Sequence, residues 1–373
     1  MKSVSNADIR LKNNHNVYRV IYDARGGATV REITEALKLS LPTVNTCVAH
    51  LMAKGLVEHG SLEKSTGGRK PRTLRITANA ALAVGLVLSA GGVRFLLANL
   101  YGETLRFQRA ALPFADTPSY YAEVSALLET FIAGCRVDES RILGVSISIA
   151  GIINADHVLE TVPTLRIKNK NTAEIAQHFQ RRLRFVNDAN ASGFAEWWHS
   201  DKQHNFCCLF VEKGVGGSLM IHGSNYFGDN LRSAEFGHMV IAEEGRLCSC
   251  GKQGCLEAYC STDRLSKDFH LTLDEFFSEV NREKIYRKAL NSYLRALARG
   301  VANLRFIFDC RVCISGLIVP YILRHEEKLR RYLAEELPFD KDTDFLQFSS
   351  MSDKSAALGA ALLWISDFIK TIQ

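Results

Sequence analysis

The sequence predicts an α/β protein in which a small basic helical module precedes a larger body. The chain has 373 residues, enough for two or three compact units. Residues 1–77 hold 13 Lys or Arg and 6 Asp or Glu, a net charge of +7, whereas the whole chain carries +6. Beyond Ala80, short apolar runs of strand length alternate with helical patterns, which indicates an α/β body. We therefore expect two domains, residues 1–77 and residues 78–373.

The basic module has the pattern of a helix-turn-helix. A first helix ends near Ala24, and a capping box that starts at Thr29 begins a second one. Ser40 caps a third helix, which continues to about Lys54 and is followed by Gly55. Two short helices about a tight turn, the second amphipathic and weakly charged, are typical of a DNA-binding motif. The positive charge of the same segment favours a polyanionic partner.

The segment after the third helix has the pattern of a wing. Strands are predicted at residues 56–58 and 73–76, on either side of a basic tip that contains glycine. Exposed positions of the third helix are suited to base edges, and the basic residues of the tip to phosphates or a minor groove. The candidate DNA contacts are Thr43, Asn45, Thr46, Arg69, Lys70 and Arg72. The alternative for this module is a small helical protein-interaction domain with a basic loop.

One imidazole and three thiols lie within a short stretch of the body. They belong to His238, Cys248, Cys250 and Cys255. Thiolates together with an imidazole favour zinc over calcium or magnesium, and Gly251 and Gly254 permit the sharp turns that bring the sulfurs together. Because four protein ligands leave no position for water, we predict a structural zinc ion rather than a catalytic one. The alternative is three unrelated buried cysteines, since free cysteine is common in protein cores.

The metal segment also carries two sequence motifs. Residues 235–238 are Glu-x-Gly-His, and residues 248–257 are Cys-x-Cys-Gly-x-x-Gly-Cys-x-Glu. Together they resemble the signature of the ROK family (repressor, open reading frame, kinase), and further matches extend the resemblance over nearly the whole chain. The resemblance implies an actin-like, ribonuclease H-like sugar-kinase fold with two lobes. It also supports DNA binding, because ROK repressors carry an N-terminal winged helix and ROK kinases usually do not.

We expect the body to divide into two lobes around a cleft. The first lobe comprises about residues 78–190 together with a C-terminal helix at 355–373. The second lobe, which includes the zinc loop, comprises about residues 191–354. The apolar-rich C-terminal helix should pack back on the first lobe.

The resemblance also implies a sugar site. Residues 187–191 match the family's Asn-Asp-x-Asn-Ala motif, whose aspartate, here Asp188, is the general base of the kinases. The implied sugar contacts are Asn187, Asp188, Glu235, His238 and Glu257. His238 would bind zinc through one nitrogen and the sugar through its other edge. Without the motif, Asn187 and Asp188 would equally fit a helix cap or a turn, and Thr164 stands where the kinases often have asparagine, so sugar preference is expected to differ.

The phosphate half of the cleft departs from the kinases. Their Asp-x-Gly-Gly-Thr loop follows the first strand, and its aspartate helps to bind Mg²⁺; here that residue is Val87. Without this apparatus, phosphoryl transfer loses most of its electrostatic stabilisation. We therefore predict no enzyme but a sugar-responsive DNA-binding transcriptional regulator, a repressor of carbohydrate metabolism genes. The alternatives are a ROK kinase for a hexose or N-acetylhexosamine with an appended DNA-binding module, and a regulator that binds a partner protein instead of a sugar.

Expected partners and location follow from the same features. The effector is a sugar or a sugar phosphate, and a homodimer or higher homo-oligomer would place two winged helices on a palindromic operator. No apolar run approaches the ~20 residues that span a membrane, and the N-terminus lacks the apolar core of a signal peptide. The ten cysteines, three in the metal cluster and the others mostly in apolar contexts, favour a reducing cytoplasm over a disulfide framework.

Overall fold

The computed structural model describes residues 5–62, 72–200, 204–340 and 342–372. Three helices and an antiparallel hairpin form its N-terminal part: α1 (Asn6–Asp23), α2 (Val30–Leu37), α3 (Leu41–Ala53), β1 (Val57–Leu62) and β2 (Arg72–Ile76). Capping boxes at Ser5 and Thr29 begin α1 and α2, and Ser40 caps α3. The predicted helix-turn-helix and the two wing strands are thus confirmed, whereas Arg69 and Lys70 lie outside the described residues.

The body continues the chain with alternating strands and helices. In chain order they are β3 (Leu82–Ser89), β4 (Gly92–Asn99), β5 (Thr104–Ala110), α4 (Pro118–Gly134), β6 (Ile142–Ile149), β7 (Ile152–Ile153), β8 (Val158–Val162), β9 (Ile167–Asn171), α5 (Thr172–Ala176), β10 (Leu183–Asn187), α6 (Asp188–His199), β11 (Phe206–Val211), β12 (Val215–Ile221), β13 (Ser224–Asn225), α7 (Glu257–Cys260), α8 (Leu273–Glu279), α9 (Lys284–Phe308), β14 (Arg311–Ser315), α10 (Val319–Ile322), α11 (Glu326–Glu336), β15 (Leu346–Phe348) and α12 (Ser355–Thr371). None of the described helices is both long and apolar enough to cross a membrane.

Two five-stranded sheets share one arrangement. The first has the order β10-β6-β3-β4-β5, and the second has the order β15-β14-β11-β12-β13. In each sheet the central strand, β3 or β11, pairs antiparallel with the next strand along the chain and parallel with a later one. The repetition gives the two α/β lobes that the sequence predicts. A small antiparallel sheet, β7-β8-β9, follows β6 along the chain.

Helices α6 and α12 lie between the two large sheets. Helix α12 packs on β3, β4 and β6, helix α6 packs on β11 and β12, and the two helices pack on each other. Gly359 permits their close approach, because a Cβ atom there would lie 1.6 Å from the carbonyl oxygen of Ala191. The C-terminal helix therefore packs on the first lobe, as predicted, and contacts the second lobe through α6.

The winged helix shares its apolar core with the body. Val17, Tyr18 and Ile21 of α1 are fully buried, in a cluster that continues into α12 and the end of α6. Burying one large apolar side chain contributes about 1.5–3 kcal/mol. The N-terminal domain is therefore packed against the body over one face of α1.

Candidate metal and ligand-binding site

The four predicted metal ligands converge on one point. One potential ligand atom from each of His238, Cys248, Cys250 and Cys255 lies within 4.8 Å of all the others. The Sγ atoms of Cys250 and Cys255 are 3.8 Å apart, and Sγ of Cys248 lies 3.7 Å from Nδ1 of His238. A tetrahedral zinc ion with bonds of about 2.3 Å to sulfur places two sulfurs about 3.8 Å apart. The donor set therefore fits zinc. The ion would hold the loop in place, and its four protein ligands would leave no coordination position for water.

The backbone of the metal loop brings the sulfurs together. Gly251 and Gly254 have φ angles of +85° and +82°, a left-handed conformation that costs glycine little and other residues more. The Cys248 N–H donates to the carbonyl of Lys252 across this turn at 2.8 Å. The Leu256 N–H donates to the carbonyl of Met239 at 2.8 Å and so ties the loop to the segment that carries the histidine. The two glycines make the turn that the sequence predicts.

Asn187 and Asp188 lie where β10 ends and α6 begins. Asn187 is the N-cap of α6: its side-chain oxygen accepts from the Asn190 N–H at 3.0 Å, and its amide donates to the carbonyl of Gly151 at 3.0 Å. The helix-cap role that these residue types also fit is therefore present at Asn187. Asp188 accepts a 2.8 Å hydrogen bond from the backbone N–H of the next residue. Its carboxylate is the candidate acceptor for a sugar hydroxyl.

The other three predicted sugar residues lie beside the metal cluster. Oε2 of Glu257 accepts from the Val215 N–H at 3.0 Å, and Oε1 accepts from the Ser249 hydroxyl. Burial raises the pKa of Glu235, the nearby His238 opposes this rise, and the charge of Glu257 adds to it. His238 is exposed and has Nδ1 on the side of the cysteines, so that Nε2 is the nitrogen for a second partner.

A glycine-rich segment, Gly214 and the first residues of β12, lies between these two groups. The Val215 N–H in this segment donates to Glu257. Gly216 faces the start of α6, because a Cβ atom on it would lie 2.8 Å from the Cβ of Ala189. The polar residues at the start of α6 and those beside the metal cluster therefore flank the beginning of β12.

The third helix presents polar residues at its surface. Asn45 and Thr46 are exposed, and Thr43 is half-buried. The hydroxyl of Thr43 is hydrogen-bonded to the helix cap at 2.8 Å, and that of Thr46 donates to the Pro42 carbonyl at 2.9 Å. Because both threonine hydroxyls bond within the helix, Asn45 is the strongest candidate for a base contact. Arg72 is exposed at the start of β2.

A sequence model of the ROK family matches residues 86–367, about three quarters of the chain. The chain belongs to the ROK family. A second model, for a winged helix-turn-helix DNA-binding domain, matches residues 11–58 and covers most of α1 together with α2 and α3. The resemblance that the two motifs of the metal segment indicated is confirmed.

Sequence relatives of this ROK protein include repressors, and solved structures of a regulator and of a kinase share its fold. The xylose repressor of Caldicellulosiruptor bescii is 25% identical over 365 residues, which cover 91% of this chain and 92% of the relative. A crystal structure of a ROK family transcriptional regulator, described as a homolog of the E. coli MLC protein, gives a TM-score of 0.75 at 18% identity and covers 98% of each chain. The structure of a ROK family glucokinase from Streptomyces griseus in complex with glucose and AMPPNP gives a TM-score of 0.63 at 19% identity. The match covers 76% of this chain and 99% of the glucokinase chain. These likenesses confirm the predicted fold.

In this ROK protein an arginine lies beside Val87, the residue that the family motif matches to the kinase aspartate. Val87 and Arg94 are paired in register across β3 and β4, which places their side chains on one face of the sheet. Nη1 of Arg94 lies 3.5 Å from Oε1 of Glu212 in the second lobe and donates to the carbonyl of Asp353 at 3.1 Å. Arg109, in register with Arg94 on β5, donates to the Asp353 carboxylate at 2.7 Å. Arginine–carboxylate pairs therefore lie next to Val87.

Arg94 and Glu212 are residues that the sequence reasoning missed. The signal available was a single charge inside the apolar run of residues 93–98. Burial raises the pKa of Glu212, and Arg94 opposes that rise. Burial, reinforced by the negative charge of Glu212, raises the pKa of Asp188 to about 7. The carboxyl that is the candidate sugar acceptor thus titrates near neutral pH.

Arg94→Met is expected to lower the free energy of unfolding by about 2–3 kcal/mol, because it leaves the Glu212 carboxylate in a mostly buried place without its cation. The side chains of this pair are 12% and 19% exposed. Arg141→Met is the matched control, since its pair with Asp138 is about half exposed and should be worth less than about 1 kcal/mol. Urea unfolding of both variants measures the difference. Equal losses in the two variants would contradict this assignment.

Proposed function

We propose that this protein is a sugar-responsive DNA-binding transcriptional regulator, a repressor of carbohydrate metabolism genes, whose kinase-like body binds the effector. One observation carries the proposal. A winged helix is packed on a ROK body in which the sugar-motif residues persist, whereas Val87 stands in place of the aspartate of the kinase phosphate site and has Arg94 beside it. The repressor relative that matches over 91% of this chain supports the same conclusion.

The proposed effector site lies between the start of α6 and the metal loop. Its residues are Asn187, Asp188, Glu235, His238 and Glu257. Buried sugar hydroxyls require hydrogen-bond partners, which these polar side chains supply. Zinc held by His238 and the three cysteines would fix the loop that carries Ser249 and Glu257, so the metal positions sugar contacts without reacting itself. The effector is a sugar or a sugar phosphate.

We further propose how the protein meets its operator. Residues 1–77 bind DNA and residues 78–373 bind the effector. A homodimer or higher homo-oligomer formed through the body would place two winged helices on a palindromic site. The basic charge of the N-terminal domain then supplies the phosphate contacts, and the third helix supplies base contacts. The protein acts in the cytoplasm, where thiols stay reduced for metal binding.

Two substitutions separate base contacts from phosphate contacts. Asn45→Ala is expected to reduce the discrimination between a preferred and a scrambled duplex by about 1–3 kcal/mol, because an amide can bind an adenine edge. Arg72→Ala is expected to weaken binding to both duplexes alike and to lower the salt slope by about 1, because it removes a phosphate contact. Fluorescence anisotropy at several salt concentrations, with a duplex selected from a random library, measures both. If Asn45→Ala changes only the salt slope, the third helix does not face the bases as proposed.

A ROK sugar kinase with an appended DNA-binding module is the alternative, because Asp188 and the glycine-rich segment at 214–217 are retained. We expect no sugar-dependent ATP hydrolysis, since Val87 stands in place of the Mg²⁺-binding acid. Turnover at ordinary kinase rates, about 1–100 per second, would contradict the proposal. Asp188→Asn is the control, because activity that survives it belongs to a contaminant. Val87→Asp alone is not expected to restore turnover while Arg94 remains paired with Glu212.

A thermal-shift screen tests the sugar-responsive part of the proposal. A ligand that binds only the folded state raises the melting temperature, by an amount that grows with its concentration relative to Kd. The first compounds are D-xylose, D-glucose, N-acetyl-D-glucosamine and their phosphates. One or more of them should raise the melting temperature. If none binds and none alters DNA affinity, a regulator that binds a partner protein is favoured instead.

A further inference from the structure

Tyr22 at the end of helix α1 contacts the first lobe. The hydroxyl of Tyr22 donates to the carbonyl of Leu100 at 3.0 Å, and its ring lies 5.1 Å from the ring of Tyr101. Leu100 and Tyr101 form the turn that joins β4 to β5. A second contact to the same lobe joins Nδ1 of His15 to the carbonyl of Ile372, directly after α12, at 3.3 Å. One face of α1 is therefore fixed to the first lobe.

The same tyrosine also contacts the second lobe. The ring of Trp198, near the end of α6, meets the ring of Tyr22 edge-on at 6.4 Å. Nε1 of Trp198 donates to the carbonyl of Tyr101 at 3.2 Å. Tyr22, Tyr101 and Trp198 are each at most 8% exposed. These three residues, which we call the aromatic joint, bring α1, the β4–β5 turn and α6 together in one buried contact.

Helix α6 links the aromatic joint to the proposed sugar site. Asp188 is the first residue of this 12-residue helix and Trp198 its last but one, so about 15 Å of helix separates them. Hydrogen bonds inside one helix make it a stiff element, and a displacement at its first turn is carried to its last turn. Asp188 and the aromatic joint therefore lie at opposite ends of one helix.

The contact between α6 and α12 contains a network of serine hydroxyl groups. Hydroxyl groups of Ser192 on α6, Ser315 on β14 and Ser355 on α12 hydrogen-bond one another at 2.9–3.4 Å. The Ser315 hydroxyl also donates to the buried carboxyl of Glu196 at 3.0 Å. Hydroxyls both donate and accept and can rotate to new partners, so these bonds can re-form after a slide of α6 past α12. Sliding of packed helices is the shear type of lobe movement.

We propose that the aromatic joint converts sugar-induced sliding of α6 past α12 into a change in the orientation of the winged helix. Helix α1 touches both sliding parts: α6 through Trp198, and the first lobe through Leu100 and Ile372. Any relative movement of the two lobes therefore changes how α1 packs on them. This inference rests on the proposed function, because it needs a sugar that prefers one lobe arrangement and DNA that prefers the other.

Conservative variants of the aromatic joint test this proposal. Tyr22→Phe removes the bond to Leu100 and keeps the ring, and Trp198→Phe removes the indole donor. Tyr18→Phe is the matched control: it is buried one turn earlier on α1, and its hydroxyl has no hydrogen-bond partner within the described part of the chain. The quantity measured is the coupling ratio, the operator Kd with sugar divided by the Kd without it. The probes are a duplex selected from a random library and whichever of D-xylose, D-glucose and N-acetyl-D-glucosamine stabilises the parent protein.

We expect Tyr22→Phe to move the coupling ratio about fivefold toward one, the effect of losing one hydrogen bond of about 1 kcal/mol. Trp198→Phe should act in the same direction, and Tyr18→Phe should keep the parental ratio. Melting temperatures and sugar affinity close to those of the parent show that the variants are folded. The proposal is overturned if the parent responds to sugar and Tyr22→Phe and Trp198→Phe respond to the same extent as the parent. It is also overturned if Tyr18→Phe loses as much coupling as Tyr22→Phe does. A parent that responds to none of the sugars overturns the proposed function itself, and this inference with it.

Discussion

Cys250→Ser is expected to lose most of its zinc and to be less stable than the parent by about 3–4 kcal/mol. That loss is the stabilisation that zinc gives the folded state when the free zinc concentration is about 100 to 1,000 times the Kd. Cys250 is exposed, so replacing sulfur by oxygen there leaves no cavity in the core. The effect should therefore come from the metal. Zinc content by atomic emission and unfolding in urea, both at neutral pH, measure the two quantities.

Cys135→Ser provides the control for this experiment. Cys135 is half-buried outside the metal cluster, and its thiol donates to the carbonyl of Phe131. Its replacement should leave the zinc content unchanged. Chelation of zinc from the parent should reproduce the loss of stability seen in Cys250→Ser and should weaken sugar binding, because Ser249 and Glu257 belong to the same loop. Full zinc occupancy in Cys250→Ser would contradict the assignment of this residue as a ligand.

Asp188→Ala is expected to weaken sugar binding about 10- to 100-fold. A hydrogen bond to a charged group contributes about 1.5–3 kcal/mol, and the loss leaves a buried sugar hydroxyl without its acceptor. DNA affinity without sugar should stay at the parental value, because Asp188 lies at the start of α6 in the body and α3 supplies the base contacts. Isothermal titration with the sugar found by thermal shift measures the change. Parental sugar affinity in Asp188→Ala would place the effector elsewhere.

The pH dependence of sugar affinity gives this experiment an internal control. Because the pKa of Asp188 is about 7, its carboxylate fraction falls as the pH is lowered from 8 to 6. The ionised form is the better hydrogen-bond acceptor, so the parent's sugar affinity should fall over the same interval. Asp188→Asn keeps the shape but has no proton to gain, so it should show a smaller change. An equal pH dependence in Asp188→Asn would assign the effect to another group.

Local signals account for what the sequence could predict. Ser40 and the Thr29 capping box determine where α3 and α2 begin, because side chains within three residues satisfy the first backbone N–H groups. The metal loop is equally local, since its three cysteines and two turning glycines lie within eight residues. The Asn-Asp-x-Asn-Ala motif is likewise local, because it lies within residues 187–191. In each case the information lies in neighbouring residues.

Contacts between distant segments account for what the sequence could not predict. Arg94 and Glu212 are 118 positions apart in the chain, so no local pattern indicates that they pair across the two lobes. Tyr22 could be predicted as an apolar helix residue, but its contacts with Leu100 and Trp198 depend on how the lobes assemble. Asn187 shows a third limit, because one side chain is a helix cap in the structure and a sugar contact in the family motif. Residue type alone cannot separate such roles.

The operator affinity of the parent and of Asp188→Ala, each with and without sugar, tests the central proposal most directly. The proposal predicts that sugar changes the parent's operator Kd by about 5- to 150-fold, the usual range of coupling between two sites. Asp188→Ala should bind the operator as tightly as the parent does without sugar and should not respond at the concentration that saturates the parent. A parent whose operator Kd is independent of sugar, or an Asp188→Ala variant that responds fully, would contradict it.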